Sequence, residues 1–175
     1  MKRNAFGLVA MVLAIGMVAA TPVDAAEQKP LNGALELTFY AVPCSAEPDA
    51  PFLTWAGTAE LNGVTYGWAD FPTAPLVVDG KFVYFEEYWT IFTLAEGEDV
   101  TPAIACDPAR VVLAGDNEGW GPAAPVGKAD GTVTKVADPG PFDEVAVGSR
   151  MFWRGVVTDD ALTQFKATLH IHPTR

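Results

Sequence analysis

Trp55-Ala56-Gly57-Thr58-Ala59-Glu60-Leu61-Asn62-Gly63-Val64-Thr65-Tyr66-Gly67-Trp68 is the stretch on which the fold class turns. Asn62-Gly63 is the strongest short-range signal for a two-residue type I′ turn, because both positions tolerate positive φ. The flanking runs are rich in aromatic and β-branched residues, which suit a pleated, packed surface. A hairpin is therefore predicted, its strands meeting at Leu61 and Val64.

The same pattern extends in both directions. Upstream, Leu35, Leu37 and Phe39 alternate with Glu36, Thr38 and Tyr40, the period-2 signature of a half-buried strand, and a proline-rich loop follows from Pro43 to Pro51. Downstream, Asp79-Gly80 repeats the turn chemistry before the long strand KFVYFEEYWTIFTL, Lys81 to Leu94. A polar acidic segment then runs from Glu96 to Pro108. Arg110 to Ala114 is predicted as a short strand, Gly115 to Pro125 as a Gly/Pro loop, and Asp130-Gly131 as the turn that opens a strand from Thr132 to Ala137. After a second long loop to Ser149, Met151 to Val157 and Gln164 to His172 form the final pair. About eight short strands, turned by 16 Gly and 14 Pro and with no convincing helix, indicate an all-β fold. A closed antiparallel barrel is expected, with a β-sandwich as the alternative.

Composition bounds the rest. The chain has 175 residues, half of them hydrophobic, with 22 acidic against 11 basic side chains. That supports one domain with a real core and excludes intrinsic disorder. The acidic excess argues against nucleic acid, which needs a basic footprint. Lys2 and Arg3 precede an apolar run from Ala5 to Ala20, and Val23-Asp24-Ala25 places small residues where cleavage needs them. Residues 1–25 are accordingly predicted to be a secretory signal peptide, and residues 26–175 the single exported domain, periplasmic or extracellular. Nothing after residue 26 approaches the roughly 20 apolar residues that cross a bilayer. Cys44 and Cys106 each lie among turn formers, and an oxidising compartment would join them in a structural disulfide.

Over most of the mature chain a succession of short motifs carries a resemblance. These are W-x-G-T-x-x-x-N-G at Trp55–Gly63, E-x-W-x-I at Glu87–Ile91, G-D-x-x-G at Gly115–Gly119, D-G-x-V-T at Asp130–Thr134, Val147-Gly148-Ser149-Arg150, and the closing Gly155 and Phe165–Ile171. In this order they resemble the secreted bacterial barrels grouped with the allene oxide cyclase barrel. The resemblance implies a closed eight-stranded antiparallel barrel, related in shape to the calycins. It implies no chemistry, because no cyclase catalytic residue maps onto a position of this chain.

A barrel of that size holds side chains or one small ligand. On the long strand Val83, Phe85, Glu87, Trp89 and Ile91 share the more apolar face, so they are expected to point inward and to carry Glu87 with them. A buried carboxylate needs a partner or a proton, and Arg154, flanked by Phe152 and Val156, is the expected partner. Glu87, Trp89, Phe85 and Arg154 are thus the candidate ligand-binding residues. His170 and His172 share one face of the last strand, and a solvated polar face is preferred there to a metal site. The acidic loops Glu96–Asp99 and Asp116–Gly119 are read as solvated turns. Ser45 and Ser149 lack the surroundings of a hydrolase nucleophile, and phosphate and dinucleotide glycine fingerprints are absent. Glu60, Asp70, Glu86, Glu87 and Asp116 lie near predicted strands as possible paired carboxylates. The expected function is binding of a small apolar or amphipathic molecule in the barrel, with no cofactor or metal. The rivals are a cofactor-independent cyclase or isomerase using the same cavity, and a structural module with a filled barrel.

Overall fold

The computed structural model describes residues 29–80, 82–122, 126–137 and 140–174; the predicted signal peptide, residues 1–25, lies outside them. The hairpin forms as its sequence requires. Asn62 and Gly63 adopt φ of 50° and 81°, and β2 (Phe52–Leu61) pairs with β3 (Val64–Pro72) from Leu61↔Val64 to Trp55↔Asp70. Around this hairpin lie β1 (Leu31–Pro43), β4 (Val77–Asp79), β5 (Phe82–Phe92), β6 (Val111–Pro122), β7 (Val126–Val136), β8 (Arg150–Val157) and β9 (Gln164–His172). The sheet order is β3-β2-β1-β9-β8-β7-β6-β5-β4, and β3 also pairs with β5 from Gly67↔Phe92 to Pro72↔Glu87. That last pairing closes an antiparallel barrel of eight strands and excludes the sandwich. β4 lies outside the closed ring, paired to β5 beyond the point where Pro72 to Pro75 interrupt the line of β3.

Two local expectations are corrected. Gly115 to Pro122 belongs to β6 rather than to a loop, and Asp130-Gly131 lies in the middle of β7 rather than in a turn. Their glycines were read as punctuation, whereas they are packing residues. A Cβ on Gly115 would stand 2.6 Å from the Trp89 indole, and one on Gly119 would overlap the Phe85 ring. The aromatic side chains of β5 fill the space that side chains on β6 would otherwise take.

Alternation along the strands sorts residues into two apolar layers. Inside the barrel Leu35, Trp68, Trp89, Ile91, Leu113, Val133, Met151, Leu169 and Ile171 are fully buried. Full burial of an indole removes about 150–250 Å² from water, roughly 4–6 kcal/mol for each of Trp68 and Trp89. The 140–149 segment closes this end: Phe142 and Val145 are buried, and the Phe142 ring lies 5.0 Å from Tyr66. Ser149 is fully buried there, and its Oγ accepts hydrogen bonds from the backbone N–H groups of Ala146 (3.2 Å) and Thr174 (3.1 Å). Outside the barrel Leu53, Ala56, Ala69, Phe71, Phe92 and Ala105 form a second cluster over β2, β3 and β5. A one-turn helix, Pro102–Ala105, capped by Thr101, covers it. The Cys44–Cys106 disulfide, with Cα atoms 5.4 Å apart, ties the end of β1 to this cover.

Candidate functional site

The end of the barrel away from Phe142 is open. Leu37 of β1, Trp55 of β2, Phe85 of β5, Trp153 of β8 and Phe165 of β9 surround a cavity of about 370 Å³, with Leu76 and Leu162 at its rim. Both rim leucines are at least half exposed. The walls are built from interlocked rings: Phe85 stacks on Trp153 at 5.7 Å, Trp153 meets Phe165 edge-on at 5.2 Å, and Trp55 packs on Phe165 at 5.8 Å. Below the cavity Trp68 and Trp89 stack at 5.2 Å with their planes 4° apart.

Between the open half and the indole stack lies a polar layer. The hairpin fixes which face of β3 turns inward, so Tyr66, Trp68 and Asp70 follow one another at period 2. Asp70 sits opposite Trp89 on β5, and Glu87 is two residues along the same face, a diagonal cross-strand neighbour. On the other side Glu87 pairs with Asn117 of β6. Asp70, Glu87 and Asn117 are 3%, 8% and 5% exposed. Asp70 Oδ1, both amide atoms of Asn117, and the indole N–H groups of Trp68, Trp89 and Trp153 have no hydrogen-bond partner. Both carboxyls line the cavity, and among the described residues no lysine, arginine or histidine does.

The electrostatics follow from that composition. Burial raises the Asp70 carboxyl from 3.8 to about 7, opposed by the Trp68 indole acting as a nearby dipole short of hydrogen-bond geometry. Burial, and then the charge of Asp70, push Glu87 well above the ordinary glutamate value. Two such groups titrate as a pair. No family model, curated protein or solved structure matches this chain. The chemistry therefore rests on the site itself. An apolar wall above an acidic, proton-holding floor accommodates an amphipathic molecule, and it can also donate or accept a proton near neutrality.

The structure brings together three of the four residues singled out from the sequence. Phe85 and Glu87 line the cavity, and Trp89 supports its floor. Arg154 does not join them: it is exposed on the outer face of β8, and the expected Glu87–Arg154 pair does not form. The interior of β8 is Met151, Trp153, Gly155 and Val157, so Phe152 and Val156 are outward despite being apolar. The Phe152 ring is covered instead by His170 and His172, at 4.6 and 5.6 Å, on the outer face of β9. Among the described residues no group of three His, Cys, Asp or Glu side chains is arranged to hold a metal ion. Asp116–Gly119 is strand rather than turn. Glu98, in the other acidic segment, pairs with Arg110 at 2.6 Å. Asp70 and Glu87 are two of the five carboxylates read as possible pairs, and the β3–β5 closure selects them; Asn117 beside them carries no such signal in the sequence. The signal for Asp70 was available, since Asn62-Gly63 sets the parity of β3 and Trp68 marks its buried face.

Proposed function

We propose that this chain is an exported barrel protein that binds a small apolar or amphipathic molecule in its interior. The observation that carries this is the cavity of about 370 Å³, which lies within the size range of small-molecule sites and combines aromatic walls with a few convergent polar groups. Export is supported by the Cys44–Cys106 disulfide, and by the absence among the described residues of a helix long and apolar enough to cross a membrane. Kinship with the allene oxide cyclase barrel is part of the proposal, and the closed eight-stranded topology supports it. Mass spectrometry of compounds released from protein purified out of its native host tests the reading. A stoichiometric small molecule, lost when Phe85 and Trp153 are both replaced by Ala, is expected. Its retention in that variant would place binding elsewhere.

One observation favours catalysis in the same cavity. A carboxyl raised to about 7 beside a second one is matched to proton transfer, as a cofactor-independent cyclase or isomerase needs. Conversion of the released compound by fresh protein, abolished in Asp70→Asn, would identify the enzyme.

A further inference from the structure

The ligand class can be narrowed, on the premise that the cavity is a binding site. We propose that the Asp70–Glu87 pair is an ammonium-binding floor and that the barrel takes up an amphipathic amine, its cationic head against the two carboxyls and its apolar body between Phe85, Trp153 and Phe165.

Three features of the geometry point this way. First, the two acids stand side by side at the closed end of an otherwise apolar cavity, with no basic side chain lining it among the described residues. Buried carboxylates are ordinarily paired with a cation. Here the described residues supply none at the pair, so a cation from outside would let both ionise. Second, Asp70 is more than nine-tenths buried and lines the cavity, yet its Oδ1 has no hydrogen-bond partner, and the amide of Asn117 beside Glu87 is likewise unpartnered. A primary ammonium offers three donors, which the carboxylate oxygens of the pair can accept. Third, the Trp68–Trp89 stack lies directly below the acids, so a head group that reaches them has its body in the aromatic part of the cavity above. An anionic head group would meet two acids and no donor of opposite charge.

The pair also fixes how uptake depends on pH. Asp70 and Glu87 face each other, and the inward faces of β1, β2, β6, β7, β8 and β9 packed around them carry no titratable side chain among the described residues. On the outer face of the same wall a groove gathers Glu86, Asp116, Glu118 and Asp130 with Arg150, whose guanidinium lies 3.6 Å from Asp130, so the acids outnumber the one base there. Binding of an ammonium favours the ionised acids, so it releases protons and strengthens as pH rises through the titration of the pair.

The test is calorimetric titration of the full protein, disulfide intact, with octylamine, octanol and octanoate, which share one tail and differ in head group. At pH 8 octylamine is expected to bind at least tenfold tighter than octanol, with octanoate weakest. Its affinity should fall about tenfold or more at pH 5, and titrations in buffers of different ionisation enthalpy should register proton release. Asp70→Asn and Glu87→Gln, each close in shape to the protonated acid, should erase the preference for octylamine over octanol. Methylamine, which lacks the tail, should not bind, and saturable methylamine binding would reduce the effect to adsorption on an acidic surface and overturn the proposal. Octanol equal to or tighter than octylamine in wild-type protein would also overturn it while leaving the cavity reading intact. No binding of any of the three would overturn both.

Discussion

At the scale of single residues the decisive feature is a pair of acids held where charge is expensive. Asp70 has a folded-state value of about 7 against 3.8 in the unfolded chain. The folded protein therefore keeps a proton that the unfolded chain gives up. The contribution of Asp70 to stability is fully present below 3.8, declines as the pH rises through that interval, and is lost above about 7. Three pH units of such difference correspond to about 4 kcal/mol. Asp70→Asn, which cannot ionise, should remove the part of this slope that Asp70 carries, leaving that of Glu87: little change in melting temperature near pH 4 and a rise at pH 8. A wild-type slope retained in the variant would move the titration to another group. A substitution that stabilises the fold while weakening the site is what a functional, rather than structural, carboxyl should show.

At the scale of elements the sequence was legible wherever one residue has one local use. Asn62-Gly63 has only its turn, and alternation within β1, β5 and β9 reports directly which face is covered. It failed where the reason for a residue lies across the sheet. Gly115, Gly119 and Gly131 look like loop residues until Trp89, Phe85 and Asn117 are placed opposite them, and no local pattern announces that. The outward Phe152 misled for the same reason, since the rings that cover it belong to β9. Glu87 was found because its own strand identifies its face, whereas its pairing with Asp70 needed the β3–β5 closure. Gly115→Ala tests the packing role. The added methyl would press on the Thr132 carbonyl and the Trp89 ring, and should cost about 1–3 kcal/mol, read as a lowered denaturation midpoint. An unchanged midpoint would show that β5 and β6 have room to spare.

At the scale of the whole molecule the barrel is asymmetric along its axis and around its circumference. Along the axis, one end is filled and plugged by Phe142 and Val145 while the other is open. Around it, the outer apolar cluster covers β2, β3 and β5 and the end of β1, and is tied down by Cys44–Cys106. The disulfide joins residues 62 apart in sequence, so reduction should cost about 4 kcal/mol in the chain-entropy view. Its effect is expected to be a lower unfolding midpoint with the far-ultraviolet strand signature retained, because the interior core does not depend on the cover. Loss of that signature on reduction would make the cover part of the folding unit. The doubly covered wall also has a dynamic consequence. Local opening is costliest where both faces of a strand are buried, so amide hydrogens from Trp68 to Phe71 and from Trp89 to Phe92 should exchange with solvent last. Those of β7 and β8, with one face in water, should exchange earlier. Asp70 lies within the slowest stretch and Glu87 two residues from it, so the acids are anchored to the part of the chain that moves least, and any breathing that admits a guest falls to the opposite side.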